Sequence, residues 1–253
     1  MEWHDSGFVL ASRKHGESSI ILTLFTAQHG RHLGLVRGGA GKRARGIYEA
    51  GNLVSAHWRA RISDHLGAFT CELIRPKAAL LMDSPLKLAG LSAACALAAV
   101  TLPERVAEAP LFGKFAGLLD AFETEDCPGN WPAIFVQWEI DLLAELGFGL
   151  DLSHCAATGR TDDLCYVSPR TGRSVSRDAG APYADQLLPL PGFLLDSNAP
   201  AADWREIAAG LNLTGYFIEH HVLTPHQQKM PAARERFCDR VRGKAAAAVT
   251  EQA

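Results

Sequence analysis

Along the first 75 residues the apolar positions come in short runs with no helical period. Gly7–Ala11 is one run, and Ser18–Thr26 is rich in β-branched residues. Arg31–Val36 alternates around Gly34, and Asn52–Trp58 and Ala68–Ile74 follow. His15-Gly16 and Gln28-His29-Gly30 are turn signals between the first three. The pattern predicts five short strands, and a five-stranded barrel of this size suggests an OB-fold. From about residue 84 the period changes. Leu86–Thr101 is apolar almost all round, which predicts a central helix. Leu111, Phe115, Leu118, Leu119 and Phe122 fall at helical spacing, as do Phe135, Trp138, Leu142, Leu143 and Leu146. These stripes read as core, and Gly147 as a helix stop. Residues 150–188 read as an irregular, turn-rich insert, followed by helices around Trp204–Ala209, Thr214–Leu223 and Ala232–Val241. The expected fold class is β plus α: a barrel domain over 1–80, a helical domain over 81–245 that holds the insert, and a frayed tail over 246–253.

Composition adds little until the chain is divided. The 253 residues are 47% hydrophobic and 21% charged, which excludes disordered and collagen-like chains. The six Cys, at 71, 95, 127, 155, 165 and 238, have no close spacing and read as reduced cytosolic thiols rather than a disulfide scaffold. No signal peptide is expected from the acidic start Met-Glu-Trp-His-Asp, and the apolar run Leu88–Pro103 is short for a membrane span. The net charge of −3 hides an asymmetry: residues 1–80 hold 11 Lys+Arg against 6 Asp+Glu, and residues 81–253 hold 14 against 22. A basic module fused to an acidic one points the first at a polyanion.

The basic residues cluster further. No carboxylate lies between Glu17 and Glu49, a stretch that carries Arg31, Arg37, Lys42, Arg43 and Arg45. In Arg37-Gly-Gly-Ala-Gly-Lys-Arg-Ala-Arg45 the glycines allow close backbone approach to a ligand, and the cations suit phosphates. A solvated connector is the alternative reading of the same run. A phosphate-hydrolysing loop is excluded, because Val36 and Arg43 stand where that motif needs Gly and Ser or Thr. Arg59 and Arg61 extend the basic set, and Trp58 and Tyr48 are candidate stacking partners for bases, with barrel core the competing role for Trp58. No acid/base pair, nucleophile motif or clustered carboxylate set for Mg²⁺ is recognisable, so an enzyme is not expected. The last helix, with Arg234, Arg236, Arg240, Arg242 and Lys244, reads first as a solvated face and second as a further DNA contact.

Several stretches together resemble the RecO family of bacterial recombination mediators. They are His15-Gly-Glu-Ser-Ser-Ile-Ile-Leu-Thr-Leu-Phe-Thr26, His29-Gly-Arg-His-Leu-Gly-Leu-Val-Arg-Gly-Gly39, Arg59-Ala-Arg-Ile-Ser-Asp-His-Leu-Gly67 and Cys155-Ala-Ala-Thr-Gly159. The resemblance implies an N-terminal OB-fold and a helical domain with a small Cys-bearing insert. It implies binding of single- and double-stranded DNA, annealing of complementary strands, and work with RecR to load RecA onto DNA coated with single-strand-binding protein, whose acidic C-terminal tail would dock on the helical domain. The implied place is the bacterial cytoplasm, at the nucleoid, with no membrane and no cofactor. Many relatives carry four zinc-binding Cys in the insert; here the corresponding positions are Cys155, Thr158, Ser176 and Ala179, so three of four ligands are missing. His154 and Cys165 lie nearby but off those positions, and His220, His221 and His226 read as surface or capping residues. The expectation is an insert held by packing and hydrogen bonds, without metal. The rival functions are an OB-fold RNA-binding protein and a DNA-processing nuclease.

Overall fold

The computed structural model describes residues 1–62, 65–124, 131–196 and 202–250; of residues 43, 249 and 250 only the backbone is described. Its contacts divide into two compact units, 1–124 with 231–234, and 125–230 with 235–253.

The first unit is built on five strands: β1 (Glu2–His15), β2 (Ser19–Thr26), β3 (Gly30–Val36), β4 (Leu53–Arg59) and β5 (Ala68–Arg75). They close into a barrel in the order β1-β2-β3-β5-β4. β1 is much longer than the apolar run 7–11 because it serves two neighbours. Glu2 to Phe8 pair with β4, and Gly7 to His15 pair with β2, with the register shifting between Val9 and Ala11. The closing contact is a short parallel pairing of Leu35 with Ala68. The interior holds Val9, Leu22, Leu24, Val36, Val54, Ala56, Trp58 and Phe69. At Gly34 a Cβ would meet the Phe69 ring at 2.4 Å, so only glycine lets β3 and that ring share the space.

His32 also points inward. It is 4% exposed, and among the described residues neither ring nitrogen has a hydrogen-bond partner. Trp3, Trp58 and Phe69 surround it, with ring centroids at 5.1, 4.8 and 6.0 Å. Burial, with smaller contributions from the charges of Arg105 and His29, lowers its pKa from 6.5 to about 4. The folded barrel therefore holds a neutral imidazole. As pH falls from 6.5 toward 4 the unfolded chain takes up a proton that the folded chain refuses, so stability drops. The shift is worth about 3 kcal/mol. Urea midpoints at pH 7 and pH 4.5 should fall less for His32→Leu than for the parent; an identical fall in both would exclude His32 as a source of acid sensitivity.

Three helices complete this unit: α2 (Lys77–Leu80), α3 (Pro85–Thr101) and α4 (Ala109–Ala121), while a single turn, α1 (Lys42–Arg45), follows β3. Thus the run 37–45 is not wholly loop. α3 begins with Pro at its first position, where a missing N–H costs nothing, and lies on β1 and β2. From α4, Phe115 and its neighbour Phe112 pack against Phe8 and Phe25 on the outer face of β1–β2. Contacts across that face carry the packing unit past residue 80, the point where the charge changes sign. Lys77, 2% exposed, ties α2 to α4 through Asp120 and Glu123, at 2.7 Å to each.

The second unit contains α5 (Trp131–Glu145), β6 (Leu164–Val167), β7 (Ser174–Ser176), α6 (Arg177–Gly180), β8 (Leu188–Pro189), α7 (Trp204–Phe217) and α8 (Ala232–Thr250). The insert expected to be irregular contains a three-stranded antiparallel sheet in the order β7-β6-β8. Its strands are two to four residues long, too short to leave a period in the sequence. α7 starts at Asp203, whose side chain accepts from the amides of Arg205 and Glu206. It runs without a break into a π-helical turn over Ile218–Leu223, so the two helices expected there are one. α5 packs on α7, and the buried Thr214 hydroxyl donates to Glu139 at 2.5 Å. α8 continues to Thr250, where fraying from 246 was expected; Ala245–Ala248 favour helix strongly. Residues 251–253 of that tail lie outside the described residues.

Candidate nucleic-acid interface

Strand register decides which basic residues meet. Val36 ends β3 opposite Ile20 at the start of β2, and Ile20 pairs with Lys14 near the end of β1. Leu35 pairs with Ala68 at the start of β5, and Ala68 pairs with Arg59 at the end of β4. The β1–β2 turn, the segment after β3 and the β4–β5 connection therefore share one end of the barrel. Arg37, Lys42, Arg45, Arg59 and Arg61 lie there, all exposed. No ion pair engages any of them among the described residues. The side chain of Arg43 lies outside the described residues, as do Ser63 and Asp64 of the β4–β5 connection.

A cavity of about 320 Å³ opens at this end, lined by Lys14 and Arg45 along with Glu17, Ile20, Tyr48 and Glu49. It places Lys14 in the basic set. Sequence reasoning missed it; the signal was an Arg-Lys pair just before the His15-Gly16 turn.

Three expectations need correction. Arg31 stands at the far end of β3 from Arg37, and its Nε donates to the Leu102 carbonyl at 2.7 Å while its own carbonyl accepts from the Arg105 amide. That pins the chain after α3 to the barrel and sets Arg31 apart from the basic end. Trp58 is 3% exposed and donates its Nε1–H to the Leu66 carbonyl at 3.1 Å. Gly67, with φ of 64°, lies where a Cβ would strike that indole at 2.4 Å. Tyr48 is 6% exposed, and burial, helped by Cys71, raises its hydroxyl to about 12. Neither ring offers a face to a base. The apolar groups exposed at this end are aliphatic: Ile62 at 54% and Leu66 at 38%.

The four insert positions do not suit zinc. Cys155 Sγ is buried and accepts from the Ser176 amide at 3.3 Å and the Ser176 hydroxyl at 3.4 Å. Burial pushes this thiol up, but hydrogen bonds from the Ser176 and Thr158 hydroxyls and from the amides of Ser176 and Ala157 outweigh it and bring the pKa to about 6. One sulfur with two hydroxyls and the methyl of Ala179 is not the four N or S donors a structural site needs. His154 is engaged elsewhere, with Ser153 and Arg173. No group of three His, Cys, Asp or Glu that could hold a metal occurs among the described residues. Hydrogen bonds to Cys155 take the place of metal bonds here. Elemental analysis of the purified protein should find well under one zinc per chain; near-stoichiometric zinc would contradict this account of the insert.

No helix among the described residues is long and apolar enough to cross a membrane. The family description Recombination protein O N terminal matches residues 1–76, and Recombination protein O C terminal matches residues 82–230. Among similar proteins, the DNA repair protein RecO of Rhodospirillum rubrum is 51% identical over 244 residues, covering 96% of this chain and 97% of its own length. The DNA repair protein RecO of Rhodospirillum centenum is 50% identical over 244 residues, 96% of this chain and 95% of that one. The DNA repair protein RecO of Jannaschia sp. is 47% identical over 240 residues, 94% of this chain and 96% of that one. Matched along nearly its whole length at about half identity, the chain belongs to the RecO family of DNA repair and recombination proteins.

Proposed function

We propose that this chain is a recombination mediator in DNA repair, which binds single- and double-stranded DNA, anneals complementary strands, and with RecR helps load RecA onto DNA coated by single-strand-binding protein. Membership of the family supports the mediator role. The observation that carries DNA binding is the gathering of Arg37, Lys42, Arg45, Arg59 and Arg61 at one end of a closed five-stranded barrel. We read that barrel as an OB-fold, because its strand order, and the placing of its β1–β2 and β4–β5 connections at the end where the basic residues gather, match the way such barrels bind oligonucleotides.

In this reading the cations meet phosphates and release counterions, while Ile62 and Leu66 lie against bases without choosing among them. Lys14 extends the phosphate track, and Arg43 belongs to it by sequence. In this reading the basic end of 1–80 takes a DNA strand, and 81–245, with its insert, offers the groove for the acidic tail of single-strand-binding protein, the place that membership of the family suggests. No covalent step and no cofactor enter the scheme.

Fluorescence anisotropy of a labelled oligonucleotide, titrated across salt, tests it. With five to seven phosphate contacts, log K should fall against log salt with a slope of about −4 for single strands. Single-stranded DNA, duplex and RNA are compared side by side. Clearly tighter binding of RNA than of either DNA would favour the RNA-binding reading instead.

A further inference from the structure

α8 presents a second row of cations. Phe237 and Val241 are fully buried and Cys238 nearly so, and the Phe237 ring packs on Trp131 and Phe135, with centroids at 5.8 and 4.7 Å. These contacts fix the rotation of the helix. Of its five basic residues, Arg234 is buried, and Arg242 is held by Asp239 at 2.6 Å. Arg236, Arg240 and Lys244 remain, all exposed and without an ion pair among the described residues. They stand at i, i+4 and i+8, so they form one line along a single flank, in steps of about 6 Å. Asp239, three residues on from Arg236, is taken up by Arg242, and Glu235 lies about 100° round the helix from Arg236.

Like charges four residues apart destabilise a helix. A row of three, in a chain whose residues 81–253 carry 22 acids against 14 bases, is therefore a local cost that solvation alone does not require. The spacing suits a sugar–phosphate backbone, whose phosphates recur every ~3.4 Å of axis, so that alternate ones lie ~6.8 Å apart. A peptide that docks by both charge and apolar side chains would need a pocket beside the row. The neighbours on this flank are Gly243, beside which a Cβ would meet nothing, and exposed Ala247.

We propose that Arg236, Arg240 and Lys244 hold the backbone of a second nucleic-acid strand, separate from the strand held at the barrel end. The inference rests on the DNA-binding reading above and deepens it. Two complementary strands repel each other, and a protein that neutralises one at the barrel and the other on α8 lowers that barrier without covalent chemistry.

The test uses the full chain and the triple variant R236E/R240E/K244E, with far-UV circular dichroism to confirm its helices. Protein saturated with one unlabelled 30-mer is mixed with a labelled, non-complementary 30-mer, and the ternary complex is read by anisotropy. The parent should capture the second strand, and the variant should lose that capture at least tenfold while its affinity for the first strand changes less than twofold. R236K/R240K should retain capture, because the row acts through charge. Annealing of bare complementary strands should slow at least tenfold in the triple variant. Equal capture and equal annealing in parent and variant would overturn the proposal. So would unchanged capture with loss confined to strands coated by single-strand-binding protein, which would make the row a site for that protein's acidic tail. A parent that fails to bind even the first strand would defeat the DNA-binding reading itself, a result distinct from loss of second-strand capture alone.

Discussion

Reversing Arg37, Lys42 and Arg45 to Glu should weaken binding of single-stranded DNA by about 50-fold or more at 0.15 M salt. A phosphate contact with a salt slope of about 0.7 contributes roughly fourfold at that salt relative to 1 M, and three contacts multiply to about 50-fold. Repulsion from the new carboxylates adds to the loss. The salt slope itself should shallow by about 2, which separates lost contacts from a general loss of fold. All three residues are exposed and lie outside the barrel core, so the urea midpoint should stay near the parent value. An unchanged affinity and slope would make the segment after β3 a solvated connector.

Lys77→Met should destabilise the first unit by about 3 kcal/mol or more. The ammonium is 2% exposed and sits 2.7 Å from both Asp120 and Glu123. Removing it leaves two carboxylates side by side, with Glu123 itself largely buried. Arg75, which also pairs with Glu123, limits the loss. Adding Glu123→Gln to Lys77→Met should restore part of the stability, because the uncompensated charge goes with it. Urea unfolding read by tryptophan fluorescence measures both. A drop below about 1 kcal/mol in the single variant would mean that the site relaxes and admits water, and that the buried pair does not hold α2 to α4.

The barrel was legible because its strands leave local marks. In β4, Val54, Ala56 and Trp58 share one parity and Ser55, His57 and Arg59 the other, and the structure buries the first set. The same parity would have placed Trp58 inside, against its use as a stacking platform. Tyr48 lies outside any strand, so no parity warned that it is buried. The role of Arg31 depends on Leu102, 71 residues away, a contact no local pattern encodes. The basic end of the barrel was legible in composition but not in geometry: register, which needs all five strands, brings Arg59 and Arg61 to Arg37 and adds Lys14. In the insert, the loss of three zinc ligands was plain from the residues at 158, 176 and 179. The short sheet, and the hydrogen bonds to Cys155 that stand in for metal, were not, because each depends on pairing between distant segments.

The central claim is that this chain pairs complementary strands by holding their phosphates on cationic surfaces. The most direct measurement is strand annealing followed by fluorescence. Two complementary labelled oligonucleotides are each coated with the cognate single-strand-binding protein and mixed with this protein without nucleotide. The account predicts rapid pairing that salt suppresses and that the Arg37, Lys42 and Arg45 reversal abolishes. Pairing no faster than without the protein, while DNA binding remains intact, would contradict it and leave a strand-binding barrel with no mediator activity.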